Sequence, residues 1–170
     1  MTIIKHKEQR VAVLIDVQNM YYSGKKIYRA KVNFGEILKT ATASRKLIRA
    51  IAYVVKTEKG LERPFFEALE HLGIETKVKE LQEYVGGLKK ADWDVGITID
   101  AIRLASLVDV IVLVSGDGDF IPLVEYLKNQ GRQVEVIAFG KSASSRLKEM
   151  ADDFLDLSES PTKYLIKKRV

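Results

Sequence analysis

The sequence predicts an α/β fold built on a mainly parallel central sheet of about five strands. Three observations carry this expectation. First, Val11–Ile15 (VAVLI) and Val110–Val114 (VIVLV) are short, continuous apolar runs, the pattern of central strands covered on both faces. Second, segments with helical spacing separate these and three further strand-like runs, an alternation that marks a parallel sheet flanked by helices. Third, no repeat, low-complexity tract or linker interrupts the 170 residues. A single domain over 1–170 is therefore expected, with 1–10 and 158–170 as flexible or peripheral ends.

Val11–Ile15 is the first strand. Phe34–Ala43 reads as a helix with Asn33 as its N-cap. Ala50–Val55 (AIAYVV) is the second strand. Leu61–Leu72 places Leu61, Phe65, Leu69 and Leu72 at helical spacing, and Ile74–Val78, entered through Gly73, is a weaker third strand. Asp92–Val108 alternates like a strand in its first half. Over its full length Ile97, Ala101, Leu104 and Val108 share one helical face, and that length favours a buried helix. Val110–Val114 is the clearest strand. Phe120–Gln130 carries Ile121, Val124 and Leu127 and stops at Gly131. Val134–Phe139 (VEVIAF) is the fifth strand, and Ser142–Met150 a short last helix.

A chain of this length buries roughly 70% of its unfolded surface and needs no staple. Hydrophobic residues at 46% and charged residues at 30% are those of a globular protein. The absence of cysteine excludes a disulfide scaffold, a thiolate zinc site and a cysteine nucleophile. The opening MTIIKHKEQR lacks the apolar core of a signal peptide. No apolar run approaches the ~20 residues that span a bilayer. A cytoplasmic protein without membrane contact is expected. A net charge of +5 modestly favours a polyanionic partner.

Against that basic background, acidic residues gather at strand ends. Asp16 directly follows the first strand. Asp117 and Asp119 follow VIVLV in the loop Ser115-Gly116-Asp117-Gly118-Asp119, and Asp94 lies near the start of the Asp92–Val108 helix. Ligand sites of open parallel sheets form outside the carboxyl ends of the strands. Asp16, Asp117 and Asp119 therefore converge if the first and fourth strands are neighbours. Several close carboxylates repel one another and resist desolvation. A hard cation such as Mg²⁺ or Mn²⁺ resolves this and can assist phosphoryl chemistry. Asn19 sits where its amide can bond a ligand, a water or a carboxylate.

Each residue also has a plainer role open to it. Asp119 can be the N-cap of the helix at Phe120, Asp117 a loop residue, and Asp16 a turn residue. Asp94 can be a solvated first-turn residue favoured by the helix dipole, and Asn19 a cap. The coincidence at two strand ends favours the functional role.

At these residues the chain resembles the NYN domain family, in particular its bacterial LabA-like branch. The segments VAVLIDVQNMYYS, KKADWDVGITIDAI and VIVLVSGDGDFIPLVEYLKNQGRQVEVIAFG carry the resemblance. Asp16 and Asn19 match the family's Asp-x-x-Asn, and Ser115 to Phe120 match its Ser-Gly-Asp-x-Asp-Phe loop. The middle segment fits less closely. Ala91 stands where the family commonly has a lysine, with Lys89 and Lys90 beside it. Asp92 rivals Asp94 as the acid; Val95, Asp100 and Ala101 fit the register that selects Asp94, and the choice stays open. The resemblance implies a PIN-like, Rossmann-like fold of three α/β/α layers. It also implies a divalent-metal nuclease, usually acting on RNA, with Asp16, Asp94, Asp117 and Asp119 as ligands of Mg²⁺ or Mn²⁺ and Asn19 in support. Some bacterial members are regulators rather than enzymes, and PIN-like relatives often dimerise, so a homodimer is a further implication.

For a nucleic acid, the segment after Asn19 offers Tyr21, Tyr22, Lys25, Lys26, Tyr28, Arg29 and Lys31, and Lys89 and Lys90 flank Asp94. Interleaved cations and aromatics suit phosphate contact and base stacking; the plainer role is a solvated helix face with core tyrosines. Lys163, Lys167, Lys168 and Arg169 read as a solvated terminus. Lys141 and Ser142 are expected to open the last helix, and Asp152 and Asp153 to be surface residues. His6 and His71 fit no ligand spacing. A non-cleaving module binding RNA or protein through the same acidic pocket is the alternative to a nuclease. A phospho-acceptor domain would need an acidic pair after the first strand, where the chain has Asp16-Val17-Gln18. No P-loop or Gly-x-Gly-x-x-Gly occurs either.

Overall fold

The computed structural model describes residues 3–56, 63–83, 86 and 89–166. β1 (Arg10–Asp16) runs directly into α1 (Val17–Tyr28). A two-residue strand, β2 (Lys31–Val32), leads to α2 (Phe34–Thr42). β3 (Lys46–Lys56), α3 (Arg63–His71) and β4 (Glu75–Glu80) follow, then the short pair β5 (Gln82–Glu83) and β6 (Lys89–Lys90). α4 (Asp94–Ala105) precedes β7 (Val110–Val114), after which a 3-10 turn at Gly118–Phe120 opens into α5 (Ile121–Asn129). β8 (Gln133–Ala138), α6 (Ser145–Met150) and β9 (Asp153–Asp156) complete the main sheet. A second 3-10 turn at Leu157–Glu159, then α7 (Pro161–Tyr164) and β10 (Leu165–Ile166), end the described chain.

The main sheet has six strands in the order β4-β3-β1-β7-β8-β9, every neighbouring pair parallel. β1 and β7 are adjacent at the centre, which meets the condition for convergence of their carboxyl ends. Alternation along β1 explains its continuous apolar run, because both faces are covered. Val11, Val13 and Ile15 pack with Met20, Ile37, Leu38, Ala41 and Leu69 from α1, α2 and α3. Ala12 and Leu14 face the other way, against Ile97, Ala101, Leu104, Val124, Leu127 and Leu147 from α4, α5 and α6. The result is an α/β/α sandwich of the Rossmann-like kind.

The structure departs from the sequence expectations in identifiable places. The sheet has a sixth strand, β9, where Asp153 was expected to be a surface residue. All four β9 residues are half-buried at the sheet edge, so DFLD carries too short and too polar a pattern to announce a strand. α1 was foreseen only as one way of exposing Tyr21 to Lys31. Two of its four buried positions are Ser23 and Gly24, which hides the apolar period. The helix expected over Ser142–Met150 begins at Ser145, because Ser144 is the residue whose side chain accepts the Leu147 N–H. Asp152 does cap a strand end, accepting the Val134 N–H at 2.8 Å. Asn33 accepts the Glu36 N–H as the expected N-cap.

Residues 158–166, expected to be a flexible or peripheral end, are peripheral but packed. β10 pairs with β2, the Tyr164 and Thr40 hydroxyls are 2.8 Å apart, and Tyr164 and Leu165 are buried. Leu61, the first residue of the expected Leu61–Leu72 helix, and Lys167, Lys168 and Arg169 lie outside the described residues. Among the described residues no helix is long and apolar enough to cross a membrane.

Candidate metal centre

Ile15 and Val114 are register partners in β1 and β7, so Asp16 and Ser115 leave the sheet side by side. Asp16 is the N-cap of α1. Its Oδ1 accepts the Asn19 N–H at 3.2 Å, and its Oδ2 accepts the Ser115 hydroxyl at 3.0 Å. The same Ser115 Oγ accepts the Asp117 N–H at 3.2 Å. Asn19 Oδ1 accepts the Gly116 N–H at 3.0 Å. The two strand ends are thus tied by hydrogen bonds through Asp16, Asn19, Ser115 and the backbone N–H groups of Gly116 and Asp117.

Gly116 is required by space. A Cβ there would lie 2.9 Å from the Ala143 Cα, because the loop after β7 passes close to the turn after β8. The Ser144 N–H donates to the Gly116 carbonyl at 2.9 Å and holds this approach.

Asp94 arrives from the other layer, as the first residue of α4. Its N–H donates to the Asp92 carboxylate at 3.0 Å. One carboxylate oxygen from each of Asp94, Asp117 and Asp119 lies within 4.8 Å of the other two. Asp16 stands outside this triad but close enough to act on it electrostatically. Burial first, then the charges of Asp117, Asp92, Asp16 and Asp119, raise the Asp94 carboxyl to about 6. Burial likewise raises Asp16 above its ordinary value, and Asp117 and Asp92 add to this, against the hydrogen bonds from Asn19 and Ser115.

This donor set fits a hard divalent cation. Such an ion holds its oxygens at ~2.1 Å, and the three carboxylates, each with an oxygen within 4.8 Å of the other two, are near enough to share one. Like charges gathered around Asp94, whose carboxyl burial and its neighbours push up, are the electrostatic state that a cation relieves. The donors are all oxygen, which suits Mg²⁺ or Mn²⁺ rather than a thiolate-seeking metal.

The structure sorts the plainer roles as well. The expected capping role of Asp119 falls to Asp117, whose Oδ1 accepts the Asp119 N–H at 2.9 Å. The N-cap of α5 is Phe120, with no side-chain cap bond, so Asp119 is not a helix cap. Asp16 is both a cap and a member of the acidic group. Asn19 is no cap; it bridges to Gly116. Asp94 joins the triad, whereas Asp92, just ahead of the N-cap Trp93, accepts the Asp94 N–H. Sequence reasoning assigned no role to Ser115. Its signal was its place, the first hydroxyl after the strand, where one side chain can bond both neighbouring aspartates.

Of the expected nucleic-acid contacts, Lys25, Lys26 and Arg29 are exposed on α1. Tyr21 and Tyr22 are 49% and 60% exposed, so they are not the core tyrosines of the plainer role. The Lys25 and Lys26 ammonium groups lie over the Tyr21 and Tyr22 rings, at 5.8 and 5.1 Å from their centroids. Lys89 and Lys90 form β6 through their backbones; their side chains lie outside the description.

The class defined here is an α/β protein of PIN-like, Rossmann-like architecture with an acidic cluster at the carboxyl edge of its sheet. The NYN domain model matches residues 10–158, and the chain belongs to the NYN domain family. It is similar to the low amplitude and bright protein LabA of Synechococcus elongatus, 27% identical over 168 residues, covering 90% of this chain and 86% of that one. It is also similar to the crystal structure of a protein of unknown function from Vibrio parahaemolyticus. That likeness has a TM-score of 0.85 and 33% identity, covering 96% of this chain and 100% of that one.

Proposed function

We propose that this chain is a divalent-metal-dependent nuclease that hydrolyses RNA phosphodiester bonds. The observation that carries the reading is the triad of Asp94, Asp117 and Asp119 at the meeting point of β7 and α4. Membership of the NYN family supports the choice of a nucleic acid as substrate. Asp94, Asp117 and Asp119 would hold Mg²⁺ or Mn²⁺. A bound ion of this kind supplies a more acidic water and neutralises charge developing on the phosphoryl group. Asp16 stands behind the triad as a fourth charge, each of its oxygens already taking one hydrogen bond, which suits a supporting ligand. Asn19 and Ser115 fix the loop that carries Asp117. Lys25, Lys26 and Arg29, and Lys89 and Lys90 by their place in the chain, would bind the phosphates flanking the scissile bond.

The second reading, a non-cleaving RNA- or protein-binding regulator, keeps the same acidic pocket and differs only in turnover. Cleavage of labelled single-stranded and structured RNAs in Mg²⁺, Mn²⁺ or EDTA, with wild type and Asp117→Asn in parallel, decides between them. Metal-dependent cutting that the variant lacks supports the nuclease. Metal binding without cutting of any RNA supports the regulator.

A further inference from the structure

Among the described residues no backbone hydrogen bond joins α4 itself to the loop of Asp117 and Asp119, so the place where α4 begins is fixed by other contacts. The chain's single tryptophan is the residue immediately before it. The Trp93 indole N–H donates to the Val54 carbonyl of β3 at 2.9 Å. β1 ends at Asp16 opposite Tyr53, so Val54 lies one residue beyond the end of β1 while still paired with Val78 of β4. The Trp93 ring packs against the Tyr53 ring with centroids 5.4 Å apart.

Two further groups close on the ring. The Lys79 ammonium of β4 lies 4.4 Å from its centroid and donates to the Asp92 carbonyl at 2.9 Å. On the helix side is Gly96, where a Cβ would come within 2.6 Å of Trp93 Cε3. Only glycine lets the first turn of α4 lie flat on the indole. The Trp93 carbonyl accepts the Ile97 N–H at 2.7 Å, and Asp92 accepts the Asp94 N–H. Asp94 therefore directly follows two residues pinned to β3 and β4, at the edge of the sheet remote from β9.

We propose that Trp93, held by Lys79 and Gly96, is a positioning residue that sets the metal affinity of the triad by fixing Asp94. This rests on the metal reading above. Partners that hold a ligand without touching the metal change affinity by roughly 10- to 100-fold when lost. A role in packing alone would lower stability and leave affinity unchanged.

The test measures Mn²⁺ affinity from the free-ion electron paramagnetic resonance signal, with thermal melts by circular dichroism in EDTA on the same samples. The variants are Lys79→Met, Lys79→Arg, Gly96→Ala and Asp94→Asn. Lys79→Met and Gly96→Ala are expected to weaken Mn²⁺ binding about tenfold while folded. Lys79→Arg keeps a cation on the ring and is expected to bind like wild type. Folded Lys79→Met and Gly96→Ala proteins that bind like wild type, while Asp94→Asn loses binding, overturn the positioning role alone. Should Gly96→Ala fail to fold, Lys79→Met decides. A wild type that binds no Mn²⁺ removes the metal reading and this one with it.

Discussion

The side-chain carbonyl of Asn19 accepts the backbone N–H of Gly116 at 3.0 Å, joining the first turn of α1 to the loop after β7 across 97 positions of sequence. The bond fixes the loop whose next residue is Asp117. Gly116 is buried, so losing its acceptor leaves a desolvated donor at a cost of about 1–3 kcal/mol. Asn19→Ala is expected to lower unfolding free energy by that amount in urea titrations and to weaken Mn²⁺ binding. Asn19→Asp retains an acceptor and is expected to keep more of the stability. Equal stability of Asn19→Ala and wild type would show that the bridge contributes nothing.

The raised Asp94 carboxyl makes a prediction about stability. Its folded value, about 6, lies above the ordinary ~3.9 of an unfolded aspartate. Between these values the folded state holds more protons than the unfolded one, so this group makes stability fall as pH rises through the window. The deficit persists at neutral pH. Asp94→Asn removes it, so in EDTA the variant is expected to melt above wild type at pH 7, with the gap closing near pH 4. A gap independent of pH would sink the assignment. Stability given up at a site of function is a familiar trade.

The same proton competes with a cation. Below about pH 6 a metal must displace it from Asp94, so affinity is expected to fall by up to tenfold per pH unit lost. Mn²⁺ titrations from pH 5 to 8 check this, with a plateau expected above pH 7. A pH-independent affinity would mean that Asp94 is not a ligand.

Much of this was legible in sequence for physical reasons. β1 and β7 are covered on both faces and so must be apolar at every position, which made VAVLI and VIVLV unmistakable. Asp16, Asp117 and Asp119 follow directly from parallel strands sharing one edge. Asp94 stood out only by its place near a helix start, and its preference over Asp92 rested on the resemblance, because its approach depends on Trp93 resting on Val54 and Gly96, contacts that leave no local period. β9 and α1 escaped for opposite reasons. The first is a short edge strand needing little burial; the second buries Ser23 and Gly24, which apolar spacing does not count. The exchange of capping roles between Asp117 and Asp119 turns on a single 3-10 turn, below what spacing can resolve.

Away from the site, Arg45 and Glu135 form a buried pair, with contacts of 2.8 and 2.9 Å. Despite burial, hydrogen bonds from Arg45 and Gln133, with the charges of Arg45 and Lys5, hold the Glu135 carboxyl below its ordinary range. Its stabilisation is therefore present above the unfolded value and is lost as pH falls through the folded one. Glu135→Gln strands the Arg45 charge and is expected to cost about 3–5 kcal/mol. Thermal melts should show this while Mn²⁺ affinity of the folded variant stays at the wild-type level. A shifted affinity would mean that the two ends of the sheet are coupled.

The exposed stripe on α1 makes the last prediction. Gln18, Tyr22, Lys25 and Lys26 share one side of the helix by their spacing, starting a few residues beyond the Asp16 cap, and Arg29 follows as the left-handed C-cap. If phosphates follow this stripe, each cation releases counterions, and affinity falls with salt in proportion to the contacts made. Replacing Lys25, Lys26 and Arg29 with Gln is expected to weaken binding of a single-stranded RNA in EDTA and to flatten its salt dependence by about two units of slope. Tyr22→Ala should weaken binding at every salt concentration and leave the slope unchanged, because stacking exchanges no counterions. Fluorescence anisotropy across a salt series separates the two effects. An unchanged slope in the triple variant would move the nucleic acid off α1, leaving the acidic triad as a site approached from elsewhere.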